Sequence, residues 1–188
     1  LKAIGIACHI GKADQRENLV TQTIGAFGRI DILVNNAAIN PVFGPIEDVD
    51  PAIFDKIMEV NVKAPWSLSN LVLPHLKAHK NGSIINIASV EALTPGFGLG
   101  IYSTSKAAIL MLSKNQAKEW GKHGIRVNAI CPGLIKRRFS ASLWQNEKIL
   151  GKIQKTIQSE PVSYTNQTLP TKRITKIIGR GYAGKEEE

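Results

Sequence analysis

Short apolar segments alternate with longer helical segments as far as residue 130, and this alternation constrains the fold more than any other feature. Four segments have the apolar, β-branched character of buried strands. The pattern predicts strands at residues 3–8, 31–35, 83–88 and 125–130, and helices at 15–27, 51–60, 65–79 and 103–123. Strands and helices that alternate in this way form parallel βαβ units with helices on both faces of the sheet. The predicted fold class is therefore α/β with a parallel sheet.

Several residues mark the ends of the predicted helices. Asp50 is suited to cap the helix that begins at Pro51, because proline is favoured at the first helical position. Gly28 and Gly124 follow the predicted first and last helices, where glycine commonly ends a helix.

Length and composition restrict the class of protein. The chain has 188 residues, of which 43% are hydrophobic and 21% are charged. These values predict one globular domain and exclude a wholly disordered or fibrous chain. No apolar stretch is long enough to span a membrane and no secretory signal is visible, so we expect no membrane association. The two cysteines, Cys8 and Cys131, lie far apart, which favours a reducing, cytoplasmic setting.

The charge is concentrated near the end of the chain. Residues 136–188 carry eleven Lys/Arg and five Asp/Glu, so +6 of the net +9 lies in this segment. A basic segment can bind nucleic acid. Here it lacks the interleaved aromatic residues of single-strand binders, so no nucleic acid partner is predicted. His75 and His79 are four residues apart but have no further ligands nearby in sequence, so no metal site is predicted.

A tyrosine and a lysine form the first candidate catalytic pair. Tyr102 and Lys106 are four residues apart, so on a helix they share one face. An ammonium about 4 Å from a phenol contributes about 4 kcal/mol at an effective dielectric near 20. That interaction could lower the pKa of Tyr102 by up to about three units and make it a usable acid or base. The pair alone is also compatible with a solvated helix face.

Two further polar residues strengthen this interpretation. Ser89 ends the third predicted strand, and ligands of parallel sheets bind beyond the carboxyl ends of the strands. Its hydroxyl could face Tyr102 and stabilise charge on a substrate carbonyl oxygen. Asn61 is a poor residue for the middle of a helix, so it marks a local break that could hold a water. A strand-end cap for Ser89 and an ordinary polar helix position for Asn61 stay open as alternatives.

The candidate residues belong to a longer set of motifs along the chain. In order, the set is Asn35-Asn36-Ala37-Ala38, Asn61, Ser89, Tyr102-x-x-x-Lys106, Arg126-Val127-Asn128 and Pro132-Gly133. Together these residues resemble the short-chain dehydrogenase/reductase family, and the resemblance covers residues 3 to about 150. A narrower resemblance, to carbonyl and retinol reductases, rests on Asn40-Pro41, residues 132–136 and Leu143-Trp144.

The resemblance implies a role for each catalytic position. Tyr102 would be the catalytic acid/base, and Lys106 would lower its pKa and bind the nicotinamide ribose. Ser89 would orient the substrate carbonyl, and Asn61 would hold a water in a proton relay. The reaction would be hydride transfer between NAD or NADP and a small carbonyl or alcohol substrate.

The resemblance also implies a cofactor site and a Rossmann-like, doubly wound sheet. Asn35 and Ala37 would line the adenosine side of the cofactor. Pro132, Gly133 and Ile135 would contact the nicotinamide end, together with Tyr102 and Lys106.

The chain departs from the family pattern at both ends. The glycine-rich fingerprint that seats a pyrophosphate is absent, and the strand predicted at 3–8 matches the family's third strand. We therefore expect an incomplete sheet that lacks the first two strands and the last, so the strand at 31–35 exposes an unpaired apolar edge. The expected organisation is a partial oxidoreductase domain over residues 1–150 and an unmatched basic tail over 151–188.

Three functional hypotheses remain from the sequence. The first is a partial short-chain oxidoreductase with an intact catalytic half. The second is an inactive subunit that associates with other subunits through the helices at 51–79 and 103–123. The third is a degenerate fragment without stable structure.

Overall fold

The computed structural model describes residues 2–133, and each structural statement below concerns those residues. The sheet strands are β1 (Ile32–Asn35), β2 (Gly82–Ile87) and β3 (Ile125–Ile130). The α-helices are α1 (Ala13–Phe27), α2 (Pro51–Met58), α3 (Ala64–His79) and α4 (Gly100–Trp120). A π-helical turn, Glu59–Lys63, joins α2 to α3. Short 3₁₀ turns occur at Ile46–Asp48, Val90–Ala92 and Gly121–His123.

The three strands form a parallel sheet in the order β1-β2-β3. Val34 lies opposite Ile85, which lies opposite Asn128. Each crossover between neighbouring strands passes through helices, as parallel pairing requires. The arrangement confirms the predicted α/β class, and it brings the carboxyl ends of all three strands to one edge of the sheet.

One face of the sheet forms the main hydrophobic core with three helices. Leu33, Ile84 and Val127 occupy neighbouring positions of the three strands on this face. They pack with residues of α1, α3 and α4, which include Val20, Leu68, Val72, Leu76 and Trp120. Complete burial of such a side chain contributes about 1.5–3 kcal/mol. This packing therefore holds α4, the helix that carries Tyr102 and Lys106, against the sheet.

The other face of β1 is open in the described part of the chain. Ile32 is 61% exposed and Val34 is 53% exposed, and β1 pairs with β2 alone among the described strands. The prediction of an unpaired apolar edge at this strand is confirmed within residues 2–133. The helices that pack on this described sheet cover one of its faces, not both.

The prediction of a strand at residues 3–8 is wrong, because these residues pair with no strand of the described sheet. The segment instead contacts α1: the Cys8 Sγ lies 3.4 Å from the Gln15 carbonyl oxygen, and the His9 N–H donates to Gln15 Oε1 at 2.6 Å. The composition of this segment suits a strand. A strand, however, needs a neighbour for its backbone groups, and β1 pairs with β2 instead.

The predicted helix ends at Asp50 and Gly28 are confirmed. Asp50 Oδ1 accepts from the Ala52 N–H at 2.7 Å, and Pro51 occupies the first turn of α2. Gly28 has a φ of 76° and donates its N–H to the Ile24 carbonyl oxygen at 2.7 Å, which ends α1. The last helix begins three residues earlier than predicted, because Leu99 accepts from the Ser103 N–H at 2.8 Å and so adds a first turn.

The helix predicted at 51–60 ends earlier as an α-helix, at Met58. The chain does not break there but widens into the π-helical turn Glu59–Lys63, which continues directly into α3. Such turns occur as single-turn insertions within α-helices, often at functional sites. The break predicted at Asn61 is therefore a change of helical winding, and Asn61 is 1% exposed within it.

Two glycine-to-alanine changes have opposite expected effects on stability. Gly124 has a φ of 74°, and a Cβ there would lie 2.2 Å from the Lys80 carbonyl oxygen. Gly124→Ala should cost about 3 kcal/mol or more, since left-handed strain alone costs about 1–3 kcal/mol. Gly25 lies inside α1 with nothing within 4 Å of a Cβ, so Gly25→Ala should stabilise the fold by up to about 1 kcal/mol. Urea unfolding of both variants beside the unchanged chain checks the two signs; equal effects would contradict this prediction.

Candidate active site

Ser89 and Tyr102 meet beyond the carboxyl end of β2. Ser89 follows the strand by two residues and caps the 3₁₀ turn Val90–Ala92, where its Oγ accepts from the Glu91 N–H at 3.2 Å. Tyr102 lies in the first turn of α4, and its side chain forms a hydrogen bond with that of Ser89. The two hydroxyls predicted to face each other are therefore brought together, and Ser89 is also the cap named as its alternative.

Lys106 lies one turn further along α4, on the same helix face as Tyr102. Its Nζ donates to the Ile87 carbonyl oxygen at 2.7 Å and lies 5.7 Å from the centroid of the Tyr102 ring. The side chain is 3% exposed. Burial lowers the pKa of Lys106 to about 8, and the nearby Cys131 opposes that change. The ammonium is thus fixed at the end of β2, beside the two hydroxyls.

The expectation that Lys106 lowers the pKa of Tyr102 is wrong for this structure. Burial raises the pKa of Tyr102, the hydrogen bond with Ser89 opposes this, and the negative charge of Glu91 adds to it. The Lys106 ammonium donates to the Ile87 carbonyl and lies near the tyrosine ring. Burial therefore has the largest effect and favours the neutral phenol.

Asn61 connects the segment after β1 to α4. Its Oδ1 accepts from the Ile39 N–H at 2.8 Å, and its Nδ2 donates to the Ile39 carbonyl oxygen at 2.9 Å. The same Nδ2 donates to Ser105 Oγ at 3.0 Å, and that hydroxyl donates to the Tyr102 carbonyl oxygen at 2.7 Å. Asn61 therefore lies one side chain away from the turn of α4 that carries Tyr102 and Lys106.

Asn35 ends β1, but its side chain is buried in the core rather than exposed at the edge of the sheet. Its Nδ2 donates to Asn86 Oδ1 at 2.8 Å and to Ser69 Oγ at 3.3 Å. Asn86 in turn donates to Ser113 Oγ at 2.8 Å. This buried polar chain ties β1 and β2 to helices α3 and α4, so the Asn35 side chain does not line the edge where a cofactor was expected.

The other predicted cofactor residues lie at that edge or outside the described residues. Ala37 is exposed just beyond β1. Pro132 and Gly133 are half-buried after β3, and the Pro132 carbonyl oxygen accepts from the Val90 N–H at 3.0 Å, which joins the loop after β3 to the loop after β2. Ile135 and the predicted tail at 151–188 lie outside the described residues.

Glu91 is a site residue that sequence reasoning missed. Its Oε2 accepts from the Gly96 N–H at 2.6 Å and from Ser103 Oγ at 2.9 Å. The signal available in the sequence was an acidic residue two positions after Ser89, at the start of a short turn. Such a residue favours a helix N-terminus, so the sequence offered no reason to connect it with α4.

The donors at this edge suit one end of a nucleotide cofactor. The Tyr102 phenol and the Lys106 ammonium are hydrogen-bond donors one helical turn apart, which fits sugar hydroxyls. No glycine-rich fingerprint for a pyrophosphate occurs in the sequence. The described residues therefore fit the nicotinamide ribose end of a dinucleotide.

Neither a cluster of metal ligands nor a membrane-spanning helix is found in residues 2–133. These residues contain no group of three or more His, Cys, Asp or Glu side chains that could hold a metal ion. None of their helices is both long and apolar enough to cross a membrane.

Known proteins resemble this chain in sequence. The family model described as short chain dehydrogenase matches residues 1–148. Dehydrogenase/reductase SDR family member 4 of Oryctolagus cuniculus is 44% identical over 158 residues, which cover 82% of this chain and 61% of that protein. Dehydrogenase/reductase SDR family member 2, mitochondrial, of Homo sapiens is 39% identical over 166 residues, which cover 85% of this chain and 59% of that protein.

Solved structures resemble the chain in fold. A gluconate 5-dehydrogenase from Burkholderia cenocepacia J2315, in complex with NADP and tartrate, is 28% identical in sequence and has a TM-score of 0.71. The match covers 74% of this chain and 55% of the dehydrogenase chain. A 3-ketoacyl-(acyl-carrier-protein) reductase from Brucella melitensis, complexed with NADH, is 32% identical in sequence and has a TM-score of 0.68. The match covers 70% of this chain and 55% of the reductase chain.

These matches agree on one family, and they agree that this chain covers only part of the length of its relatives. The chain spans 61% or less of the length of the two curated relatives described above. The family model covers more than half of its residues, including all four predicted catalytic positions. The chain belongs to the short-chain dehydrogenase family.

Proposed function

We propose that the chain carries the catalytic half of an NAD(P)-dependent oxidoreductase that interconverts a small carbonyl compound and an alcohol. The observation that supports this most directly is the hydrogen bond between Ser89 and Tyr102, with the Lys106 ammonium fixed beside them. Family membership supports the same reaction class.

Tyr102 is the proposed proton donor in reduction and acceptor in oxidation. Its raised pKa keeps the phenol protonated at neutral pH, which is the form that donates to a carbonyl oxygen. Ser89 holds the same carbonyl oxygen by a hydrogen bond that strengthens as negative charge develops there. The nicotinamide, when bound, supplies or accepts the hydride.

Lys106 and Asn61 support this proton transfer. With a pKa of about 8, Lys106 is mostly protonated at pH 7, so its ammonium is proposed to donate to the nicotinamide ribose beside Tyr102. Asn61 is proposed to hold a relay water through a group other than its two amide hydrogens, which donate to the Ile39 carbonyl oxygen and to Ser105 Oγ.

The proposed cofactor is NAD or NADP, as in the two solved relatives described above. Tyr102, Lys106, Pro132, Gly133 and Ile135 would hold the nicotinamide end. Asn35 and Ala37 would line the adenosine side, Asn35 through its backbone because its side chain is engaged in the core.

Cofactor binding tests this proposal directly. Thermal unfolding of the chain should shift upward with NADH or NADPH, by about 2.7 kcal/mol at 100 times the dissociation constant if the cofactor binds only the folded state. The cofactor that produces the shift should then be oxidised in the presence of a small aldehyde or ketone. A cooperative transition that neither cofactor moves would refute the proposed activity for this chain.

A second candidate function is association with other subunits. A groove of about 770 Å³ between the α2–α3 segment and α4 contains the exposed apolar side chains of Trp66 and Met111. Trp66 is 49% exposed and Met111 is 54% exposed, which favours burial against a partner. A stable homo-oligomer that Trp66→Ser dissociates would support this function. We further propose a cytoplasmic setting, which the reduced state of the Cys8 and Cys131 thiols supports.

A further inference from the structure

One carboxylate oxygen connects the two catalytic hydroxyl residues through the backbone that carries them. Glu91 lies in the 3₁₀ turn that Ser89 caps, and its N–H donates to Ser89 Oγ at 3.2 Å. Its Oε2 accepts from Ser103 Oγ at 2.9 Å, and Ser103 directly follows Tyr102 in the first turn of α4.

The same oxygen also holds the connection between these two elements. The Gly96 N–H donates to Glu91 Oε2 at 2.6 Å, in the middle of the loop that runs from the 3₁₀ turn to α4. One of the two bonds joins the 3₁₀ turn to the loop, and the other joins the 3₁₀ turn to α4. Two charge-assisted hydrogen bonds to one oxygen give a stronger and more directional link than neutral contacts would.

We propose that Glu91 is a positioning residue for the oxidoreductase reaction, which fixes the spacing between Ser89 and Tyr102 by binding the 3₁₀ turn, the loop and α4 with one carboxylate oxygen. This inference rests on the proposed function, because the spacing matters only if both hydroxyls act on one substrate oxygen. A displacement of about 1 Å at such a site can lower the rate about a hundredfold.

The charge of Glu91 gives the proposal a second, independent readout. Burial is the main cause of the raised pKa of Tyr102, and the negative charge of Glu91 raises it further. The other described groups around the pair are Lys106, which shares the helix, and Cys131, which follows β3 and interacts with Lys106. Removal of the Glu91 charge should therefore move the titration of Tyr102 toward lower pH.

Two substitutions separate position from charge. Glu91→Gln keeps one carbonyl oxygen that can accept both hydrogen bonds, and it removes the charge. Glu91→Ala removes both. Glu119→Gln is the matched control, because Glu119 is an exposed carboxylate in the last turn of α4, whereas Tyr102 lies in the first turn of that helix.

We expect Glu91→Ala to lower kcat about tenfold to a hundredfold with little change in KM for the cofactor. Glu91→Gln should keep kcat within about threefold and shift the pH profile of kcat toward lower pH. Ultraviolet titration of the phenol should show the same shift, with the contribution of Tyr102 isolated by subtraction of a matching variant that also carries Tyr102→Phe. Glu119→Gln should change neither quantity.

Two results would overturn the proposal. One is a Glu91→Ala variant with the same kcat as Glu119→Gln. The other is a phenol titration that Glu91→Gln leaves unmoved while the fold persists. An unchanged chain that turns over no carbonyl with either cofactor contradicts the proposed function instead, and the phenol titration then still decides whether the Glu91 charge acts on Tyr102.

Discussion

Tyr102→Phe should lower the kcat of carbonyl reduction by about 10²–10⁴ and leave the fold intact. The range is that of a positioned general acid, which phenylalanine cannot replace because it has no proton to give. The ring keeps its place near the Lys106 ammonium, and the loss of the hydrogen bond with Ser89 should cost only about 1 kcal/mol of stability. Steady-state kinetics with the cofactor that shifts the thermal transition measures the effect.

The neighbouring Thr104 provides the control for this experiment. Thr104 is exposed in the same turn of α4, and its Oγ1 donates to the Gly100 carbonyl oxygen at 2.9 Å. Thr104→Ala removes a hydroxyl from the same helix turn without touching the site, so its kcat should stay within about twofold. Turnover by Tyr102→Phe at the level of Thr104→Ala would remove Tyr102 from the mechanism.

Lys106→Met should abolish most turnover and also change how stability depends on pH. Folding lowers the pKa of Lys106 from 10.5 to about 8, chiefly through burial. Between these pH values the unfolded chain binds more protons than the folded chain, so this residue makes stability rise with pH. The full rise is about 3 kcal/mol, because each pKa unit corresponds to about 1.36 kcal/mol. Methionine has similar length and no charge, so the variant should lack this rise.

Urea unfolding at several pH values between about 7 and 11 tests this prediction. The stability of the unchanged chain minus that of Lys106→Met should increase by up to about 3 kcal/mol across the series. Lys118→Met, at an exposed position of the same helix, is the control and should show no such increase. A constant difference between the unchanged chain and Lys106→Met would show that the ammonium is not desolvated.

Elements that the local sequence specifies were predicted correctly. The strand predicted at residues 3–8 was not, because a strand there depends on pairing with a distant part of the chain. The strand over residues 125–130 has the predicted bounds, since it is an apolar run enclosed by Gly124 and the Pro132-Gly133 turn. Residues 3–8 have equal strand character but no ladder. Whether a segment finds a partner strand is decided by chain far away in sequence, which the segment's own pattern does not contain.

The site shows the same division. The convergence of Tyr102, Lys106 and Ser89 follows from helical spacing and from the position of a strand end, both of which the sequence displays. The direction of the pKa change at Tyr102 depends chiefly on burial, which helical spacing does not reveal. The contact between Asn35 and Asn86 depends on the register of β1 with β2.

The π-helical turn at Glu59–Lys63 lets this part of the chain hold one residue more than a continuous α-helix without a change in how its two helices face the core. Each residue of an α-helix rotates its successors by about 100°. If the extra residue were wound as α-helix, α3 would turn about its axis relative to α2, and Leu68 and Val72 would leave the core. The wider turn absorbs that rotation. Deletion of Val62 should therefore let the segment rewind as an α-helix with α3 still in place, and its effect should fall on the local contacts of Asn61 with Ile39 and Ser105.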